Sequence, residues 1–205
     1  RPPRSTLFPY TALFRSHHGD VALKHGDRTV QAFVAYPEVS GKAPVVILIH
    51  EIFGLTDWAR EIADEIAAAG YIVIAPDLLS GHGPNGGDFS SFTSQDDATK
   101  AVSGLNPDEV NADLDAAADY AKKIPSANVK LAVTGFCWGG GKSFAFAAHR
   151  HDLVDRRLEH PRKHPTVAAA GAAPAARRIT REMFWVEFRE GLAGLDVGAR
   201  RREPG

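Results

Sequence analysis

The chain has 205 residues, of which 44% are hydrophobic and 24% charged, and its formal net charge is −1. That length can bury the core of one α/β domain, and near-neutrality gives no reason to expect nucleic acid or an anionic membrane as a partner. A single cysteine excludes an internal disulfide and a multi-cysteine zinc site, and no run approaches the ~18 apolar residues of a membrane span.

Residues 1–16 (RPPRSTLFPYTALFRS) have no clear period. They resemble a translated sequencing adaptor and are expected to be a non-native leader, set aside in reading the fold. Arg1-Pro2-Pro3-Arg4 opens no apolar stretch with a cleavage site, and the chain does not start with methionine. Cytoplasm is the default compartment, with export open if an N-terminal signal has been lost.

Residues 17–152 read as a patterned α/β domain. Thr29–Ala35 is a plausible first strand. Pro44–His50 (PVVILIH) is a continuous apolar run, as expected of a parallel strand covered on both faces. Thr56 can cap a helix with Trp58, Ile62 and Ile66 on one face and Gly70 at its end. Tyr71–Ala75 is a second buried strand, and Pro76–Gln95 a long loop rich in Gly, Pro and Ser. Asn106-Pro107-Asp108-Glu109 starts a helix, with proline in the first turn and acids at the positive end of the dipole. Its buried face is Val110, Leu114, Ala117 and Ala121. Lys130–Thr134 is a third buried strand, and Lys142–Arg150 is helix-like. Strands alternating with helices predict a doubly wound, mostly parallel sheet.

Residues 153–205 differ in style. They hold ten of the sixteen arginines, with Ala, Gly and Pro runs such as Ala168–Ala176. Only Thr166–Ala170 offers a weak strand, and Ile179–Leu195 could form one amphipathic helix. An out-of-frame tail is the favoured reading, and a divergent, partly disordered one the alternative.

Between the third strand and its helix stands Gly135-Phe136-Cys137-Trp138-Gly139. A nucleophile elbow needs this context: a nucleophile on a tight turn between strand and helix, flanked by small residues. The helix dipole there favours thiolate over thiol. Gly135 and Gly139 would relieve crowding, and the Trp138 N–H would be free to receive an oxyanion. The plainer reading of Cys137 is a buried small hydrophobe. An overlapping Gly139-Gly140-Gly141-Lys142-Ser143 looks like the end of a phosphate-binding loop, but Phe136 occupies its first glycine position and Gly135 misses by one. No histidine spacing suggests a metal, and no cofactor is implied.

At this point the chain resembles the dienelactone hydrolase family of the α/β-hydrolase fold over roughly residues 21–152. The resemblance rests on His50-Glu51-Ile52-Phe53-Gly54, Ala75-Pro76-Asp77-Leu78 and Gly135-Phe136-Cys137-Trp138-Gly139-Gly140. It implies a carboxymethylenebutenolidase-like hydrolase that opens a small ester or lactone through an acyl-cysteine. Cys137 matches the family nucleophile and Glu51 the glutamate that manages its proton. The amides of Trp138 and Ile52 match the oxyanion donors. Two departures are visible. Ser80-Gly81-His82 stands where the lactone-cleaving members carry a carboxylate-binding arginine. The triad's aspartate and histidine have no convincing match, since the tail offers Asp152, Asp155 and Asp196 but only His160 and His164. The alternatives are a non-catalytic or damaged homologue and, less favoured, a nucleotide binder. Substrate identity and oligomeric state are not readable.

Overall fold

The computed structural model describes residues 16–150 and 184–188. A six-stranded sheet has the order β1-β2-β4-β3-β5-β6. Its strands are β1 (Ser16–His25), β2 (Arg28–Pro37), β3 (Ala43–Ile49), β4 (Ile72–Pro76), β5 (Ala127–Gly135) and β6 (Phe184–Phe188). The helices are α1 (Asp57–Ala68), α2 (Gln95–Ser103), α3 (Pro107–Lys123) and α4 (Trp138–His149). This is the expected α/β architecture, and the foreseen parallel pairing holds at its centre, where β3 runs parallel to both β4 and β5. Toward the edges β1/β2, β2/β4 and β5/β6 are antiparallel. The first of these follows from chain length. Only Gly26 and Asp27 separate His25 from its partner Arg28, and a two-residue turn can close only a hairpin. Gly26 takes φ 53°, the sign such turns require.

β3 is buried on both faces because its neighbours and the helices enclose it. Val45, Ile47 and Ile49 join a core with Leu114 of α3, Val102 of α2 and Phe146 of α4. Val46 and Leu48 point the other way, into a core with Ala59, Ile62, Ala63 and Ile66 of α1. α1 begins and ends as expected: Thr56 caps it by accepting from the Ala59 N–H, and Gly70 follows at φ 101°. Trp58 departs from the expected inward face. It lies 42% exposed in the first turn, edge-on to Phe136. α3 starts at the Asn106 cap and buries Val110, Leu114, Ala117 and Ala121.

Four sequence expectations are corrected. β1 precedes the strand foreseen as first and begins at Ser16, the last residue of the presumed leader, whose hydroxyl donates to Asp64. α2 was not foreseen; it begins at Gln95, the last residue of the expected long loop, behind a Ser94 cap. α4 starts at Trp138, four residues before the helix-like run, so all three consecutive glycines are helical. Residues 184–188, expected within an amphipathic helix, form β6, whose ladder to β5 runs from Gly135↔Phe184 to Leu131↔Phe188. That pairing supplies partners for backbone groups that β5 would otherwise leave bare. The remainder of 179–195 and the weak strand at 166–170 lie outside the described residues.

Candidate active site

The strand order turns at β3. The chain leaves β3 toward α1 on one face, whereas it leaves β5 toward α4 on the other. In such sheets a crevice opens beyond the carboxyl ends of the two strands whose connections diverge. Glu51 follows β3, and Cys137 follows β5, at that crevice. Cys137 is exposed and has φ 50°, ψ −115°, a conformation that a non-glycine residue holds only when its surroundings compel it. The surroundings are visible. A Cβ on Gly135 would lie 2.6 Å from the Gly139 carbonyl and 2.8 Å from the Ile49 oxygen. A Cβ on Gly139 would collide with the carbonyl oxygens of Ile49 and His50. Both glycines therefore let α4 start hard against the end of β3. The Trp138 amide, at the first helical position, has no intrahelical acceptor.

The segment after β3 is a braced turn. Gly54 N–H donates to the Glu51 carbonyl at 3.1 Å, and the Gln95 side-chain amide donates to the Phe53 carbonyl at 3.0 Å. Gly54 takes φ 87°, and the Phe89 ring lies so close that a Cβ there would come within 2.5 Å of it. Burial pushes the Glu51 carboxyl above the usual glutamate range. His50 is 2% exposed, and its Nδ1–H donates to the Glu51 carbonyl at 2.8 Å. Its ring stacks on Trp138, with centroids 5.6 Å apart and planes 8° from parallel. Burial drives the imidazole down to about pKa 4, so it is neutral at physiological pH. Among the described residues its Nε2 has no hydrogen-bond partner, an arrangement that ordinarily costs about 1–3 kcal/mol. His50 belongs to the sequence motif, but nothing in its pattern marked it as part of the site.

The dienelactone hydrolase family profile matches residues 30–173 of the chain. The chain belongs to the dienelactone hydrolase family. It is 32% identical over 124 residues to carboxymethylenebutenolidase 1 of Cupriavidus pinatubonensis, covering 57% of this chain and 50% of that one. It is 36% identical over 160 residues to an Escherichia coli (strain K12) protein with a provisional carboxymethylenebutenolidase name, covering 70% of this chain and 56% of that one. A solved Klebsiella pneumoniae structure, provisionally named a dienelactone hydrolase, superposes with a TM-score of 0.59 at 31% identity, covering 68% and 57% of the two chains. A dienelactone hydrolase-like promiscuous phosphotriesterase from metagenomic libraries superposes at 0.53 with 25% identity, covering 65% and 54%. The chain spans about half the length of the curated relatives it matches.

Within this dienelactone hydrolase family chain, the Pro76-Asp77-Leu78 motif has a structural task. The buried Asp77 carboxylate accepts from the Leu79 N–H at 3.0 Å and the Phe89 N–H at 2.8 Å. It thus holds the long loop so that Phe89 backs the turn after β3. Desolvation nevertheless outweighs those two bonds and raises Asp77 to about pKa 6. A cleft of about 260 Å³ beside it is lined by Asp20, Gln31, Arg60, Asp88 and Phe89, and includes neither Cys137 nor Glu51. Ser80 is buried, donating to the Asp77 carbonyl and accepting from the Gln31 N–H. His82 pairs with Glu109, which also meets Arg28 at 2.9 Å. Arg28 in turn grips the 1%-exposed Asp113 with two bonds, and His25 meets the same carboxylate at 2.6 Å. The Ser80-Gly81-His82 segment is thus tied to the β1–β2 hairpin and α3.

The glycine-lysine-serine stretch is not a phosphate-binding loop. It is helical, Ser143 Oγ is buried and donates to the Gly139 carbonyl, and Lys142 lies 5.0 Å from the Trp138 ring centroid. His149 and Arg150 both pair with Asp115. Among the described residues no cluster could hold a metal, and no helix is long and apolar enough to cross a membrane. Asp152, Asp155, His160, His164 and Asp196 lie outside the described residues.

Proposed function

We propose that the chain carries the acylating half of an ester or lactone hydrolase, with Cys137 as nucleophile. The observation that carries this reading is the left-handed backbone at Cys137, on a strand–helix turn whose two flanking glycines sit where a Cβ would strike backbone. Such strain persists where the surroundings enforce it, and its effect is to present the thiol at the crevice. Glu51 takes the thiol proton, a role suited to a half-buried carboxylate that burial makes a stronger base than an ordinary glutamate. The thiolate attacks the substrate carbonyl carbon, forming a C–S bond as the carbonyl electrons move onto oxygen. The Trp138 and Ile52 amides receive that oxyanion. Collapse breaks the C–O bond, and the alkoxide takes the proton back from Glu51 to leave as alcohol, or stays tethered when the substrate is a lactone. Water then attacks the thioester carbonyl, losing a proton to Glu51, and the C–S bond breaks to release the acid and the thiolate.

The relatives' names support the substrate class. A thiol that acylates but turns over poorly is the second reading, favoured because the sequence offers no convincing match for the triad's aspartate and histidine. Rapid mixing with a p-nitrophenyl ester tests both. A burst of about one p-nitrophenolate per chain, absent in Cys137→Ala, is expected under either reading. Sustained turnover after the burst selects the first, and its absence the second. A burst that survives in Cys137→Ala refutes both.

A further inference from the structure

The Glu51 carbonyl and the Ile52 N–H are opposite ends of one planar trans peptide, so whatever orients the carbonyl also orients the amide. That carbonyl accepts from the Gly54 N–H and from His50 Nδ1–H. The first bond is internal to the turn. The second comes from a side chain whose ring is itself clamped against Trp138, the residue carrying the other proposed oxyanion amide. The backbone oxygen of His50 also lies within collision distance of a Cβ on Gly139. His50 thus touches both halves of the proposed oxyanion site while its Nε2 stays buried without a partner. An apolar ring of the same shape would avoid that cost, so the Nδ1–H is the part of the imidazole with a use here.

We infer that His50 is a positioning residue that aims the Ile52 amide, through its bond to the Glu51 carbonyl, and holds it in register with the Trp138 amide. The inference rests on the proposed acyl-cysteine function and adds to it a residue that acts through the Glu51–Ile52 peptide. Neutral imidazole suits the task, because donation from Nδ1 requires no charge beside Glu51.

Two variants separate the donor from the ring. His50→Phe keeps an aromatic ring to stack on Trp138 and removes the donor. His50→Asn removes the ring, but its side-chain amide nitrogen falls near the position of Nδ1. Single-turnover acylation by a p-nitrophenyl ester should fall roughly 10- to 100-fold in His50→Phe, somewhat less than the loss of a whole oxyanion donor. It should recover to within about 5-fold of wild type in His50→Asn, since the donor is restored. Alkylation of Cys137 by iodoacetamide, which develops no oxyanion, should stay within about 2-fold of wild type in both. The melting temperature of His50→Phe should lie within about 3 °C of wild type. Wild-type acylation that persists in His50→Phe, or an Asn variant as slow as the Phe variant, overturns this inference alone. A wild-type chain that gives no acylation overturns the parent proposal and this inference with it.

Discussion

Gly135→Ala isolates the feature on which the elbow depends. Gly135 does not need a positive φ, so the substitution is a matter of space alone. The new Cβ would lie 2.6 Å from the Gly139 carbonyl carbon and oxygen and 2.8 Å from the Ile49 oxygen, where ordinary contact begins at 3.4 Å. All three obstacles are backbone, so no side chain can rotate away. The start of α4 must move by about 0.8 Å relative to β5 and β3, and overpacking of this kind costs about 1–3 kcal/mol. With rigid obstacles on two sides the upper end is expected, and about 3 kcal/mol lowers the melting temperature of a domain this size by roughly 6–12 °C. The same displacement carries Cys137 and the Trp138 amide off their line, and a misplacement near 1 Å can cost about 100-fold in rate. Gly141→Ala is the control. It lies in the same helix with nothing within 4 Å of its Cβ, and should stabilise by about 0.5–1 kcal/mol through chain entropy alone. Urea titration and burst kinetics on both variants check this. A Gly135→Ala protein as stable and as fast as Gly141→Ala would refute the steric account of the elbow.

Three further outcomes are expected. Acylation should fall at acid pH with an apparent pKa above the ordinary glutamate value, because burial keeps Glu51 protonated, and unable to accept the thiol proton, to a higher pH than usual; in Glu51→Gln the rate should be lower and that acid limb absent from the pH profile. Asp77 binds its proton more tightly folded, at about pKa 6 against 3.8, so its contribution to stability declines as pH rises through that interval. Urea titrations at successive pH values should give a difference between wild type and Asp77→Asn that shifts against wild type by about 3 kcal/mol across it. Asp113→Ala should cost about 2–3 kcal/mol in urea unfolding, less than the ~3–5 of a fully buried pair, because Arg28 keeps Glu109.

The parts of this molecule legible in its sequence are those where burial leaves a pattern. β3 and β4 are enclosed on both faces and read as apolar runs, and the Thr56 and Asn106 caps mark α1 and α3 because orphan helix amides need side-chain acceptors. β1 escaped notice because it is an edge strand with only Leu23 fully buried, so its sequence is mostly polar. α2 buries only Ala98 and Val102, too few for a helical period to stand out. The true start of α4 was hidden by three glycines, which carry no periodicity and a poor helix propensity. At the site, the elbow was legible because steric demand at Cys137 leaves glycines at fixed offsets. The role of His50 was not, since it depends on which atom of the imidazole meets which carbonyl, and one residue after a buried strand sets no spacing.

The central claim, that Cys137 is acylated by an ester carbonyl, is tested most directly by mass spectrometry of acid-quenched protein after mixing with p-nitrophenyl acetate. The account predicts one acetyl group per chain, on the peptide containing Cys137, and an unmodified Cys137→Ala chain. An acetyl group found on another residue, with Cys137 unmodified while p-nitrophenolate is released, would contradict it.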